Sequence, residues 1–114
     1  MRILITGGSG FIGRNLSIKS VNLGYQTTVI SLTKIDSHKK ISKVNYIQVD
    51  ITNLVHLRKK LSNQIFHYII NLSGYIDHSS FLDGGNKVIE THFGGVQNLL
   101  EVLDWSQLKK FVQN

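Results

Sequence analysis

The sequence predicts an α/β protein built on a doubly wound parallel sheet, and three observations carry that expectation. Short runs of apolar or β-branched residues alternate with amphipathic stretches along the chain. The first run, Arg2 to Thr6, leads at once into the glycine-dense turn Gly7 to Gly13 and then into a helical stretch. A later run, Phe66 to Leu72, is almost continuously apolar, as a strand covered on both faces should be. With right-handed crossovers the expected strand order is 3-2-1-4-5. A ligand crevice then lies outside the carboxyl ends of strands one and four, where the order reverses. No repeat, linker or low-complexity tract divides residues 1–114, so one domain is expected.

The glycine turn has the chemistry of an anion site. A pyrophosphate binds well at a helix N-terminus, where free N–H groups and the helix dipole favour negative charge. Backbone can approach that closely only where side chains are absent. Gly7 permits the tight turn out of the strand, Gly10 permits approach to the phosphates, and Gly13 lets the helix pack tightly on the strand. Gly8-Ser9-Gly10-Phe11-Ile12-Gly13 fits G-x-G-x-x-G, and Thr6, Gly7, Gly10 and Gly13 fit T-G-x-x-G-x-x-G. The alternative is a tight strand-to-helix turn with no ligand.

The remaining elements follow in order. A first helix is expected from about Gly10 to Asn22, with Ile12, Leu16 and Leu23 on one face and Val21 flanking it. Gly24 suits the left-handed position after its end. Gln26 to Ser31 is β-branched and reads as strand two. Thr33 to Ser42 is a polar, basic loop with at most a short helical turn. Val44 to Val49 reads as strand three, ending at Asp50, and Thr52 to Leu61 as a helix burying Leu54, Leu57 and Leu61. After strand four come a loop, Tyr75 to Asn86, and the longest helix, Lys87 to Asp104, with Ile89, Phe93, Val96, Leu100 and Leu103 at helical spacing. Gly94 and Gly95 within it cost about 1 kcal/mol each relative to alanine, which implies close approach of another group. Strand five begins near Leu108, and the sequence stops at Asn114.

Composition narrows the function. The 114 residues carry a formal charge of +6, yet the basic residues are dispersed and lack the aromatic interleaving of a single-strand nucleic-acid binder. Their clusters, such as His38-Lys39-Lys40, read as solvated faces, so nucleic acid is not the expected partner. There is no cysteine, hence no disulfide or thiolate metal site, and the five histidines lack zinc-ligand spacing. No signal-like or membrane-length run is present, so a soluble cytoplasmic protein is expected. Ser79 and Ser80 follow His78 without the sharp glycine-flanked turn of a hydrolase nucleophile.

Residue chemistry also suggests how a dinucleotide is read. An acid at the end of strand two accepts from a ribose 2′-hydroxyl, whereas a small or basic group there admits a 2′-phosphate. This chain has Ser31, with Lys34 and Arg14 nearby, a set that favours NADP slightly over NAD. The alternative is that Lys34 and Arg14 are solvated surface charges. Asp50 either meets the adenine amino group or caps the following helix. The two are compatible if the backbone of Ile51 serves the ring while Asp50 orders the turn.

Taken together, these stretches resemble the extended short-chain dehydrogenase/reductase family, and within it the NAD(P)-dependent sugar-nucleotide epimerases and dehydratases. Thr6-Gly7-Gly8-Ser9-Gly10-Phe11-Ile12-Gly13 resembles the family's opening T-G-G-x-G-F-I-G. Asp50-Ile51-Thr52 resembles its adenine-contacting turn, and Asn71-Leu72-Ser73-Gly74 its H-L-A-A stretch beside the nicotinamide-side ribose and phosphates. Val88 to Glu101 resembles its N-V-x-G-T-x-N-L-L-E helix, with His92 in place of asparagine and Val96 in place of threonine. The resemblance implies a Rossmann-type fold and an NADP or NAD cofactor held by the glycine loop with Phe11 and Ile12. It also implies contacts to Leu72, Ser73, Gly74 and His92, and a helix-paired homodimer. Family catalysis uses a Tyr-x-x-x-Lys pair. None of Tyr25, Tyr46, Tyr68 or Tyr75 has a lysine four residues on. The chain is therefore expected to be the dinucleotide-binding first part of such an enzyme, inactive alone. The alternative is a non-catalytic nucleotide-binding regulatory or interaction module.

Overall fold

Alternating strand and helix formers give one five-stranded parallel sheet. In the computed structural model, residues 1–8, 10–72 and 95–113 are described. The strands are Arg2–Thr6 (β1), Gln26–Ser31 (β2), Val44–Gln48 (β3), Tyr68–Asn71 (β4) and Lys110–Gln113 (β5), in the order β3-β2-β1-β4-β5. The described helices are Phe11–Asn22 (α1), Leu54–Leu61 (α2) and Gly95–Val102 (α3), with a 3-10 turn at Ser37–Lys39. The order reverses between β1 and β4, whose carboxyl ends are level, Thr6 beside Asn71. This is the strand order the sequence predicts, and it places the crevice directly after Thr6.

Strand alternation divides the apolar residues between two faces. On one face Leu4, Ile30 and Ile69 pack with Leu57 and Leu61 of α2 and with Leu99 and Val102 of α3. On the other, Ile3, Ile5 and Val29 pack with Leu16 of α1. Reversal of chain direction across the sheet after β3, combined with right-handed crossovers, sends α2 and α3 to the face opposite α1. Beyond β1 on the α1 face, the stacked rings of Tyr25 and Tyr68 lie 5.7 Å apart, and Ile70 is half-buried. Val112 there is 41% exposed.

The first helix meets the sheet by a different face from the one its apolar spacing predicts. Its buried residues are Gly13, Ser17 and Ser20, whereas Ile12 and Leu23 are 58% and 62% exposed. Leu16 and Val21 are half-buried. Small residues let the helix sit close, and their hydroxyls are satisfied locally. Ser17 Oγ donates to the Gly13 carbonyl (2.7 Å), and Ser20 Oγ shares a hydrogen bond with Thr27 Oγ1 of β2 (2.7 Å). A buried hydroxyl with a partner costs little, so a polar stripe can serve as a packing stripe.

Other departures are smaller. Helix α2 starts at Leu54, because Asn53 is its cap and accepts from the His56 N–H at 3.1 Å. Leu57 and Leu61 are buried as expected, and Leu54 is half-buried. The buried stripe of α3 is Gly95, Leu99 and Val102, with Leu100 turned out at 39% exposure. Helix α3 ends at Val102, and Asp104 then bridges to Ile65. Strand β4 spans Tyr68 to Asn71 only; Phe66 is buried before it beneath the Arg2 guanidinium, 4.9 Å from the ring centre. Gly24 takes the expected left-handed conformation, at φ +86°. The expected loop Tyr75 to Asn86, and Ile89, Phe93 and Gly94 of the expected long helix, lie outside the described residues.

Candidate functional site

The glycine loop is built from the end of β1. Gly7 lies in the left-handed region at φ 71° and donates its N–H to the Ile30 carbonyl of β2 at 2.9 Å. Gly10 caps α1 without a side chain, and a Cβ built on it would meet nothing within 4 Å among the described residues. A Cβ on Gly13 would lie 2.3 Å from the Gly8 Cα, so Gly13 seats the helix on the loop itself. The N–H groups of Phe11, Ile12 and Gly13 belong to the first helical turn, where no intrahelical acceptor exists and no acidic side chain stands. Open space, free donors and the positive end of a helix therefore coincide beside the carboxyl ends of β1 and β4, and these features fit a pyrophosphate.

A hollow of about 510 Å3 lies between this loop and the segment after β2. It brings Arg14 and Lys34 together, as the sequence suggests, and adds Asp36, His38 and Lys39. Arg14 Nη1 donates to the Lys39 carbonyl at 2.7 Å, and the Ile41 N–H donates to Tyr46 Oη at 2.9 Å. These bonds tie the basic segment back to α1 and β3. Ser31 lies outside the lining. It is 5% exposed, and its Oγ donates to the Thr33 carbonyl at 2.6 Å, closing the turn that leaves β2. His38, Lys39 and Lys40 are all exposed, as the solvated-face reading of that run expects, and the 3-10 turn sets His38 and Lys39 at the rim of the hollow.

Asp50 orders its own turn rather than capping α2. Its Oδ1 accepts from the Thr52 N–H at 2.9 Å and from Thr52 Oγ1 at 2.6 Å. Ile51 is 5% exposed and anchored in the core, and its carbonyl accepts from Asn98 Nδ2 at 2.9 Å. Leu72 is half-buried and donates its N–H to the Thr6 carbonyl at 2.9 Å, which holds it beside the crevice. Ser73, Gly74, His78 and His92 lie outside the described residues. Among the described residues, no three His, Asp or Glu side chains gather as a metal site, and no helix is long and apolar enough to cross a membrane.

Comparison with known proteins agrees with this geometry. The model of the NAD dependent epimerase/dehydratase family matches residues 3–114. The chain is 28% identical to a dTDP-D-glucose 4,6-dehydratase of Dictyostelium discoideum, covering 97% of this chain and 28% of that protein. It is also 28% identical to a UDP-N-acetyl-alpha-D-glucosaminuronate decarboxylase of Bacillus cytotoxicus, over 88% of this chain and 32% of that one. The chain thus spans about a third of the length of these relatives. Among solved structures, a UDP-glucose 4-epimerase superposes with a TM-score of 0.80 at 22% identity, covering 99% of this chain and 35% of that one. The Bordetella bronchiseptica enzyme WbmF in complex with NAD+ superposes with a TM-score of 0.78 at 24% identity, covering 98% of this chain and 35% of that one. With a matched family model over almost its whole length and a five-stranded sheet in the family's order, the chain belongs to the NAD-dependent epimerase/dehydratase family.

Proposed function

We propose that this chain is the cofactor cradle of an epimerase/dehydratase-type protein acting on a nucleotide sugar. The observation that carries the reading is the empty side-chain position at Gly10, set on the amino end of α1 beside the carboxyl ends of β1 and β4. Gly7, Gly10 and Gly13, with the backbone of Phe11 and Ile12, hold the pyrophosphate. Asp50 and the backbone of Ile51 meet the adenine, and Leu72, Ser73, Gly74 and His92 serve the nicotinamide half. The bound dinucleotide supplies a hydride acceptor, and the protein supplies binding and orientation. No Tyr-x-x-x-Lys pair occurs in the sequence, so the 114 residues turn nothing over alone. The same feature supports a second reading, in which the fold is kept as a nucleotide-binding regulatory or interaction module.

Arg14 and Lys34 in the hollow, with Ser31 rather than an acid ending β2, support a preference for NADP over NAD. Asp36 on the same wall acts against it. Calorimetric titration of both dinucleotides tests the reading. Arg14→Ala should weaken NADP about tenfold or more while leaving NAD within threefold. Ser31→Asp should lower the preference for NADP over NAD. Equal losses for both cofactors would refute the assignment of the hollow to a 2′-phosphate. The half-exposed apolar face of Tyr25, Tyr68, Ile70 and Val112 further supports self-association. Sedimentation at high concentration should show a dimer, and a monomer there contradicts it.

A further inference from the structure

We infer that Asn98 is a positioning residue for the adenine-reading turn, acting through the peptide bond between Ile51 and Thr52. The inference rests on the proposed contact of Asp50 and Ile51 with adenine. That peptide is clamped at both of its polar ends. Its carbonyl, on Ile51, accepts from Asn98 Nδ2 at 2.9 Å. Its N–H, on Thr52, donates to Asp50 Oδ1 at 2.9 Å. With both ends fixed, the peptide plane cannot rotate without breaking one bond. The same Asp50 oxygen also accepts from Thr52 Oγ1 at 2.6 Å, so the orientation of the carboxylate is tied to the orientation of this peptide.

Helix α3 is placed to do this. Asparagine is a poor helix-interior residue, and at position 98 its donor crosses to a turn 47 residues away in sequence. Gly95, three residues earlier and on the same helix face, lets the helix come that close. A Cβ there would lie 2.5 Å from Ile51 Cδ1. Burial of Leu99 and Val102 fixes the helix on the sheet, while the exposed Arg58–Glu101 pair at 3.6 Å adds little. Ile51 is thus gripped from α3 twice, at its side chain by Gly95 and at its carbonyl by Asn98. What remains for a ligand is the outward side of the turn, with the Asp50 carboxylate exposed.

The test compares NAD with nicotinamide hypoxanthine dinucleotide, which lacks the adenine amino group, by calorimetry on the wild-type chain, Asn98→Leu and Asn98→Ser. The wild type should prefer the adenine form about tenfold, the size of one lost hydrogen bond. Both variants should reduce that preference to about threefold or less. In parallel, amide exchange of Thr52 in the free chain should speed up about tenfold in Asn98→Ser, with the α2 amides unchanged. A destabilised helix alone would instead weaken both dinucleotides equally and raise exchange along α3. Full adenine preference with slow Thr52 exchange in either variant overturns the positioning role. If the wild type fails to distinguish the two dinucleotides, the adenine contact itself is wrong and the inference falls with it. If Asn98→Leu does not fold, the Thr52 exchange measurement in Asn98→Ser decides.

Discussion

Thr6 Oγ1 donates a hydrogen bond to Asn71 Oδ1 between two fully buried residues that sit level on β1 and β4. Asn71 Nδ2 then donates to Gln113 Oε1 of β5 at 2.9 Å. A short polar row therefore stitches three adjacent strands at the end of the sheet where the chain order reverses. Side-chain bonds fix the relative height of β1 and β4 there, and with it the walls of the crevice.

Cutting this row should be costly. Asn71→Leu leaves the Thr6 hydroxyl buried without its acceptor, and urea unfolding should show a loss of about 1–3 kcal/mol. Adding Thr6→Val to Asn71→Leu should recover part of that loss, because an unsatisfied buried group costs more than an absent one. Simple additivity of the two single losses would contradict the account.

The glycines of the loop should respond unequally to alanine. At Gly10 the added methyl meets open space and φ is −83°, so Gly10→Ala should cost only about 1 kcal/mol, the ordinary difference at a helix cap. At Gly13 it meets the Gly8 backbone at 2.3 Å, which must move, and a loss of about 3 kcal/mol is expected. Urea midpoints of the two variants compare them directly.

Helix α1 should tolerate change where its sequence looks most important. Ser17→Leu overfills the contact with the sheet and should destabilise by about 1–3 kcal/mol. Ile12→Ser alters a residue that is 58% exposed and should shift stability by about 0.5 kcal/mol or less. Thermal melting reads both, and the opposite ranking would restore the apolar face to the sheet.

That helix also shows which features were legible beforehand. The strands, their order and the positions of Gly7 and Gly24 follow from local chemistry: β-branched runs, an apolar run and backbone shapes that only glycine adopts easily. The packing face of α1 did not, because apolar periodicity does not register a stripe of Gly13, Ser17 and Ser20 whose hydroxyls find partners only in three dimensions. Asp50 was legible as a turn former, but its partner Thr52 and the neighbouring Asn98 bond were not, since nothing in sequence spacing links position 51 to position 98. Likewise, the place of His38 and Lys39 at the rim of the hollow goes with the Arg14 bond to the Lys39 carbonyl, a contact across 25 positions.

Acid should act locally at the end of α3. The Asp104 carboxyl is held below its ordinary value by hydrogen bonds from the Ser106 hydroxyl and N–H, at 2.7 and 3.0 Å. A carboxylate lowered in the folded chain adds stability above its ordinary value, and that contribution disappears as pH falls through the lowered one. Carbon-detected NMR titration should show Asp104 protonating at lower pH than a model carboxylate, and Ser106→Ala should move it back up. An unchanged titration in Ser106→Ala would assign the shift to something other than this turn.

The most direct measurement is a calorimetric titration of NAD and NADP into the wild-type chain and into Gly10→Val, with the melting of each recorded. The valine places side-chain atoms at the head of α1, where a Cβ meets nothing within 4 Å among the described residues. Saturable binding of a dinucleotide to the wild type, weakened about tenfold or more in a Gly10→Val chain that still melts cooperatively, is the predicted result. Absence of binding to either dinucleotide, or equal affinity in both chains, would contradict the assignment of this loop as a dinucleotide cradle.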